Sequence, residues 1–250
     1  MSMKDINSNR EFLKSLYWDR WDANELEKDQ DKGIAQPAPQ KPYADGDKLI
    51  DLISPDDFTV GEVFLKDVIK KRRSRRKYSG QPLSLEELSF MLWSTQGLSG
   101  DKPNLRNAPS AGGRHPFETY LYISNVIGLE PGLYRYLPLE HKLVVSHGCA
   151  ESIEDMSAAC HNQKFVKNSA VVFIWTAVPY RAEWRYSIIA HKMIAIDVGH
   201  LCQNLYLASE AVGAGTCAIG KYDQGKMDAL LGVDGSDEFA IYAATVGKME

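Results

Sequence analysis

The sequence predicts one α+β domain built on a mostly antiparallel sheet. Three observations carry this. Residues 169–178 (SAVVFIWTAV) are an unbroken apolar run, the mark of a central strand covered on both faces. Strand-like and helix-like segments interleave irregularly, with a hairpin pattern in the middle, where a parallel sheet would alternate strand and helix regularly. Residues 184–212 contain no proline and one glycine, Gly199, which predicts a long helix.

In chain order, residues 11–21 gather Phe12, Leu13, Leu16, Tyr17, Trp18 and Trp21 and predict a short amphipathic helix. Residues 25–47 are polar, carry Pro37, Pro39 and Pro42, and have linker composition. The aromatic residues suggest that this arm packs on something, a partner subunit included; the alternative is a loosely ordered tail. The expected division is therefore residues 1–58 as helix and extended arm, and 59–250 as the domain proper. From Val60 a helical spacing (Val63, Phe64, Val68, Ile69) runs into a basic cluster at the helix C-terminus, where cations are favourable.

The next helix is better marked. Ser84 and Glu87 have capping-box spacing, Leu85, Leu88, Met91, Leu92 and Thr95 make one face, and Gly97 is placed to end it. A turn-rich loop at 98–116 follows, then a strand at 117–124, a hairpin from 133–137 and 142–146, and a helix at 150–159. On the long helix, Ala190, Ile194, Val198, Leu201, Leu205 and Ala208 form the buried stripe, with His200 expected as a satisfied buried polar group. Gly213 and Gly215 are expected to stop it. A strand at 216–219, a helix at 224–231 and a strand at 238–246 close the domain.

Composition narrows the function. The chain has 250 residues, 44% hydrophobic and 25% charged, an ordinary globular balance that needs no metal or disulfide to hold a core. Cys149, Cys160, Cys202 and Cys217 form no CxxC pair and no zinc spacing with histidine, and are read as reduced thiols. No histidine pair has HExxH spacing and no GxSxG elbow occurs, so no metal site or serine hydrolase is expected. The first ten residues have no apolar signal core, and no run of about 18 apolar residues occurs, so the expectation is a cytoplasmic protein with no membrane partner.

Charge is unevenly placed. Residues 70–77 (KKRRSRRK) hold seven cations in eight positions; taking them from a net charge of −4 leaves −11 on the rest. A cationic island in an acidic chain suits a local anion better than a long polyanion. Within it Arg72, Arg73, Ser74 and Arg76 offer planar forks and a hydroxyl that match a phosphate. Taken alone, the run also reads as a solvated charge face or a nucleic-acid patch.

Three further segments could carry chemistry. Pro109, Ser110, Ala111 and Gly112 lie in a small-residue turn where backbone N–H groups can approach a ligand, or which simply feeds the next strand. Ala218, Ile219 and Gly220 end a second small-residue stretch that suits a flat ring or tight packing. Arg185 and Tyr186 pair a cation with a group able to move a proton, or form a structural contact.

Taken in order, these segments resemble the SagB-type branch of the nitroreductase family. The likeness runs through YWDRW, RRSRRKYSGQPLSLEELSFMLWSTQGL, APSAGGRHPFETYLYI, GLEPGLYRYLPLEHKL, VVFIWTAVPYRAEWRY, IDVGHLCQNLYLASEAVGAGTCAIG and IYAATVGK, most of the chain. The resemblance implies an α+β sandwich, a homodimer, and FMN at the subunit interface. Arg72, Arg73, Ser74 and Arg76 would hold phosphate, ribityl chain and pyrimidine edge, with Arg76 facing N1 and O2. Pro109, Ser110, Ala111 and Gly112 would reach the flavin of the other subunit. Ala218, Ile219 and Gly220 would lie along the ring with a backbone N–H near N5, and Lys248 would reach the phosphate. Arg185 and Tyr186 stand where azoline-oxidising members of the branch have Lys-Tyr. Arginine stays protonated and cannot replace lysine as a base, which counts against peptide azoline oxidation. The implied reaction is NAD(P)H-driven reduction of a small acceptor such as a nitroaromatic or quinone. The alternatives are azoline dehydrogenation, or a flavin- or nucleic-acid-binding protein without redox activity.

Overall fold

The structure is a computed structural model. It describes every residue except Met1, Ser2, Asp101, Pro103, His147 and Glu151, and the side chains of Met3 and Lys4 are likewise outside it. Parts of the expected 98–116 loop and 150–159 helix, and the histidine at 147, therefore lie outside the described residues.

The apolar run becomes β5 (Val171–Ala177), buried along its whole length. It pairs antiparallel with β2 (Phe117–Ile123) on one side and β7 (Phe239–Lys248) on the other. Beyond β2 lie β3 (Gly132–Leu137), β4 (Lys142–Val145) and β1 (Leu49–Asp51); beyond β7 lies β6 (Ala214–Ile219). Every pairing between these seven strands is antiparallel, in line with the mostly antiparallel sheet that the sequence predicts.

Alternation along β5 builds a core on each face. Val171, Phe173, Trp175 and Ala177 pack with α4 (Leu85–Gln96) and α8 (Ala190–Ala211). Val172 and Ile174 pack with α5 (Ile153–Ala159) and α9 (Gln224–Leu231). All six residues of the expected α8 stripe are buried. The Ser84–Glu87 capping box is present, with Ser84 Oγ accepting from Glu87 N at 3.1 Å and Glu87 Oε2 accepting from Ser84 N at 2.9 Å.

Several boundaries differ. The helix expected at 11–21 is two: α1 (Met3–Phe12) and α2 (Trp18–Asp22), separated by a turn in which Tyr17 has φ 74°. Trp18 and Trp21, on α2, pack on Tyr186. The helix expected from Val60 is α3 (Leu65–Lys71). Gly61, at φ +90°, starts a turn before it, so close to Phe90 that a Cβ would lie 2.5 Å from the ring. The helix expected at 184–212 is interrupted: α7 (Tyr180–Tyr186) ends at Ser187 (φ 49°, ψ −135°), and one 3-10 turn leads into α8. Such a left-handed serine carries no proline or glycine signature in sequence. Only Gly213 (φ +70°) ends α8, because Gly215 lies inside β6. α5 begins at its own Ser152–Asp155 capping box. His200 is half-buried, not buried, and its Nδ1 has no hydrogen-bond partner.

The N-terminal arm packs on its own chain. Trp184 O accepts from Gln30 N at 2.9 Å and Trp184 Nε1 donates to Ile34 O at 2.8 Å. Arg106 donates to Pro39 O, and Arg135 donates to the carbonyls of Lys41 and Pro42, each at 2.8 Å. The arm thus crosses the sheet end as a strap before β1 adds to the edge. α6 (Lys164–Lys167), between α5 and β5, carries Phe165.

Candidate functional site

The arginine segment is locked to the sheet edge. α3 ends at Lys71, and Ser74 then lies beside Thr216 in a parallel bridge, with Arg75 N donating to Thr216 O at 2.9 Å. This covers the free edge of β6. The approach requires Gly215: a Cβ there would lie 2.6 Å from Arg75 Cβ. Tyr78 anchors the segment's end, donating to Arg75 O at 2.9 Å and lying 2.7 Å from Thr245 Oγ1.

Three guanidinium groups are then left without a carboxylate partner among the described residues. Arg72 lies over the Tyr206 ring at 5.3 Å. Arg73 donates only to backbone, to Lys70 O and Arg72 O. Arg76 lies over Phe165 at 5.8 Å, and its charge acts on the Cys217 thiol. Burial pushes that thiol's pKa up and Arg76 works against the shift. Arg75, by contrast, has an acid 3.8 Å away, Glu210. The Tyr206 hydroxyl joins the segment to β6: it lies 3.0 Å from Ser74 Oγ and accepts from Ala218 N at 2.9 Å. Cationic donors, a hydroxyl and strand backbone therefore converge at one sheet edge, which brings Arg72, Arg73, Ser74, Arg76 and Ala218 together. Gly220 follows, and a Cβ there would meet nothing within 4 Å. Ile219 contributes backbone alone, since its side chain is buried in the core beside α5 and α9.

Lys248 sits apart from this cluster's contacts. Its ammonium pairs with Glu87 of the α4 capping box and donates to Val212 O at 3.4 Å.

A second cluster lies at the other end of α8. The loop 109–112 is held by Asp197, whose Oδ2 accepts from Ser110 Oγ at 2.7 Å and from Ala111 N at 2.9 Å. Ser110 Oγ accepts in turn from His115 N at 2.9 Å. Burial raises the Asp197 pKa, and these hydrogen bonds oppose the rise. Gly112, at φ +58°, brings the loop against the sequence-predicted pair: a Cβ would lie 2.5 Å from Tyr186 Oη and 3.2 Å from Arg185 Cδ. Arg185 lies over the Tyr186 ring at 5.4 Å. Trp18 and Trp21 cover Tyr186 edge-on and tilted, at 6.4 and 6.5 Å.

Both clusters lean on α8, one through Asp197 and one through Tyr206. Nine residues apart, these anchors are about 14 Å apart along the axis. Sequence reading missed both. Asp197 carried a usable signal, an acid on the buried stripe between Ile194 and Leu201 that demands a partner. Tyr206 carried none.

Comparison with known proteins agrees with this architecture. The nitroreductase family profile matches residues 69–248. The candidate nitroreductase MJ1384 of Methanocaldococcus jannaschii is 31% identical over 195 residues, covering 76% of this chain and 93% of that protein. The trifolitoxin-processing protein TfxB of Rhizobium leguminosarum bv. trifolii is 27% identical over 180 residues, 67% of this chain but about half, 48%, of TfxB. Among solved structures, a candidate nitroreductase of Ralstonia eutropha JMP134 superposes with a TM-score of 0.67 at 23% identity, covering 87% of this chain and 97% of that one. The Escherichia coli microcin synthetase McbBCD complex with truncated pro-MccB17 gives 0.62 at 15% identity, covering 100% of this chain and 98% of its match. A nitroreductase-type structure from Desulfovibrio desulfuricans in complex with FMN gives 0.51 at 16% identity, covering 74% and 86%.

The fold is that of the nitroreductase-type structures. The chain belongs to the nitroreductase family. No helix among the described residues is long and apolar enough to cross a membrane, and no group of three or more metal-ligating side chains occurs among them.

Proposed function

We propose that this protein is an FMN-dependent oxidoreductase that works as a homodimer, taking electrons from NAD(P)H and passing them in pairs to a small acceptor such as a nitroaromatic or quinone. The observation that carries it is the set of three acid-free guanidinium groups, Arg72, Arg73 and Arg76, fixed with Ser74 against the edge of β6. Arg72 is half-buried and Arg73 and Arg76 are exposed, and such a cluster of guanidinium forks beside a hydroxyl, with no acid among its partners, fits an anion such as a phosphate.

Arg72, Arg73 and Ser74 would hold the phosphate and ribityl chain, and Arg76 the pyrimidine edge. Tyr206 already uses the Ala218 N–H, so Ile219 or Gly220 would offer the backbone donor near N5. Lys248 would have to leave Glu87 to reach a phosphate, and it is not assigned to the site. Bound FMN supplies two-electron chemistry at N5. The chain's own residues position and shield. The loop 109–112 would complete the partner's site, Trp18 and Trp21 keep water from Tyr186, and Tyr186 holds a proton at its phenol oxygen for the acceptor.

The likeness to TfxB and to the McbBCD complex supports a second reading, a peptide azoline dehydrogenase of the SagB type. Arg185, in the lysine position, counts against it.

The test is spectroscopic. Purified, FMN-reconstituted protein should show a flavin band near about 450 nm, and NAD(P)H should bleach it without oxygen. A colourless protein after reconstitution overturns the cofactor assignment. A flavin that NAD(P)H leaves unbleached overturns the reductase and favours the dehydrogenase.

A further inference from the structure

Buried guanidinium groups elsewhere in this chain are matched. Arg135 pairs with Glu118 at 3.1 Å and with two carbonyls, and Arg181 pairs with the same carboxylate at 2.5 Å. Arg106 bonds Gln96 Oε1 and Pro39 O. Arg114 breaks the pattern. It is 8% exposed, its Nε is buried with no hydrogen-bond partner, and among the described residues its side chain makes no hydrogen bond or ion pair. Its guanidinium instead lies over the Trp184 ring at 5.2 Å.

Its neighbour makes the anomaly sharper. Arg185, on the last turn of α7, is half-buried, and its Nε is also buried without a partner. Neither guanidinium has a carboxylate partner among the described residues. Burial first, and the Arg185 charge second, push the Arg114 pKa down. Nearby acids are engaged: Glu183 with His191 at 2.7 Å, and Asp197 with Ser110 and Ala111. One buried and one half-buried guanidinium, neither with a counter-charge, are stabilised by an anion that completes them. The aromatic stacking that holds both guanidinium groups in place leaves their planar forks for an oxyanion.

We propose that Arg114 and Arg185 form an anion subsite beside Tyr186, and that it takes the carboxylate of a planar acceptor. The rings of Trp18, Trp21 and Tyr186 pack together beside Arg185, Gly112 against them is exposed, and Arg185 is half-buried. The role of the bound compound as acceptor rests on the oxidoreductase reading above; the anion site itself does not. The same chemistry would hold a phosphate of the nicotinamide donor.

Calorimetric titration of the FMN-loaded protein separates these sources. Benzoate, a planar carboxylate that is not reduced, should bind at least tenfold more tightly than benzamide. Arg114→Gln and Arg185→Gln should each remove that preference. A preference for NADP+ over NAD+ that both variants lose would assign the subsite to the donor, and would overturn the acceptor assignment while keeping the anion site. Arg114→Lys keeps the charge without the fork, and should lose most of the preference even if Arg114→Gln folds poorly. Thermal melting adds a readout of its own: the Gln variants should hold or gain Tm, because an uncompensated charge is removed. Equal binding of benzoate and benzamide with no NADP+ preference, or no binding at all, overturns the proposal. So does dissociation of a dimer by Arg114→Gln, which would give both arginines to a subunit contact. Arginine-dependent benzoate binding by a protein that never holds FMN would leave this inference standing and the functional reading refuted.

Discussion

The Tyr206 hydroxyl lies 3.0 Å from Ser74 Oγ and accepts the Ala218 N–H at 2.9 Å. One phenol thus sets the spacing between the arginine segment and β6, while its ring supports the Arg72 guanidinium. Tyr206→Phe keeps the ring and removes the staple. It should cost about 1 kcal/mol of stability and weaken FMN binding by roughly tenfold, the equivalent of 1.4 kcal/mol. Urea melts and fluorescence titration with FMN read the two effects. Unchanged FMN affinity would show that Ser74 and Ala218 do not act as one site.

The sheet and most helices were legible because they rest on periodicity. The unbroken apolar run found β5, and the Ser84–Glu87 spacing found the start of α4. The two interrupted helices were not legible, because each break rests on one non-glycine residue held in a left-handed conformation, Tyr17 or Ser187. Tertiary packing selects those conformations: α2, after the turn at Tyr17, packs Trp18 and Trp21 on Tyr186, and Ser187 separates α7 from the 3-10 turn that leads into α8. The arginine cluster was legible as charge. Its docking on Thr216 was not, since it depends on the missing Cβ of Gly215.

Asp197 is 5% exposed and its Oδ2 holds the loop through Ser110 Oγ and Ala111 N. Asp197→Ala strands both donors and should cost about 2–3 kcal/mol, seen in urea melts. Asp197→Asn isolates the charge. Burial raises this carboxyl's pKa above 3.8, so the folded state holds the proton more tightly than the unfolded state. The associated stability is present at low pH and lost as pH rises through the folded pKa. The wild type should therefore lose stability relative to Asp197→Asn as pH rises from about 3.8. A difference that stays flat with pH would refute the buried carboxylate.

His115 titrates in the opposite sense. It is buried, its Nε2 lies 3.1 Å from Asn104 O, and burial pushes its pKa from 6.5 down to about 4. The unfolded chain binds the proton first, so stability falls as pH drops from 6.5 toward 4. The shift corresponds to about 3 kcal/mol by the lower end of that range. His115→Asn suits the φ of 45° at this position and does not titrate. It should be less stable at pH 7 through lost packing, yet show a flatter slope across this window. An unchanged slope would place the titrating group elsewhere.

Gly112 and Gly113 allow a controlled test of the Tyr186 environment. Both have positive φ, 58° and 62°, so alanine at either meets a similar backbone cost, about 1–2 kcal/mol. Their surroundings differ. A Cβ on Gly112 would lie 2.5 Å from Tyr186 Oη, whereas one on Gly113 would lie 3.3 Å from the Asn104 side chain and carbonyl. Gly112→Ala must therefore displace the Tyr186 hydroxyl, and Gly113→Ala need not. If Tyr186 meets the acceptor, Gly112→Ala should lower acceptor kcat/KM by tenfold or more, since misplacement by about 1 Å can cost that much or greater. Gly113→Ala should lower Tm by a similar amount and leave kcat/KM within about twofold of the wild type. Stopped-flow reoxidation of the reduced protein by the acceptor reads the difference directly. Equal losses in both variants would mean that the loop matters only for stability, and would remove Tyr186 from the reaction.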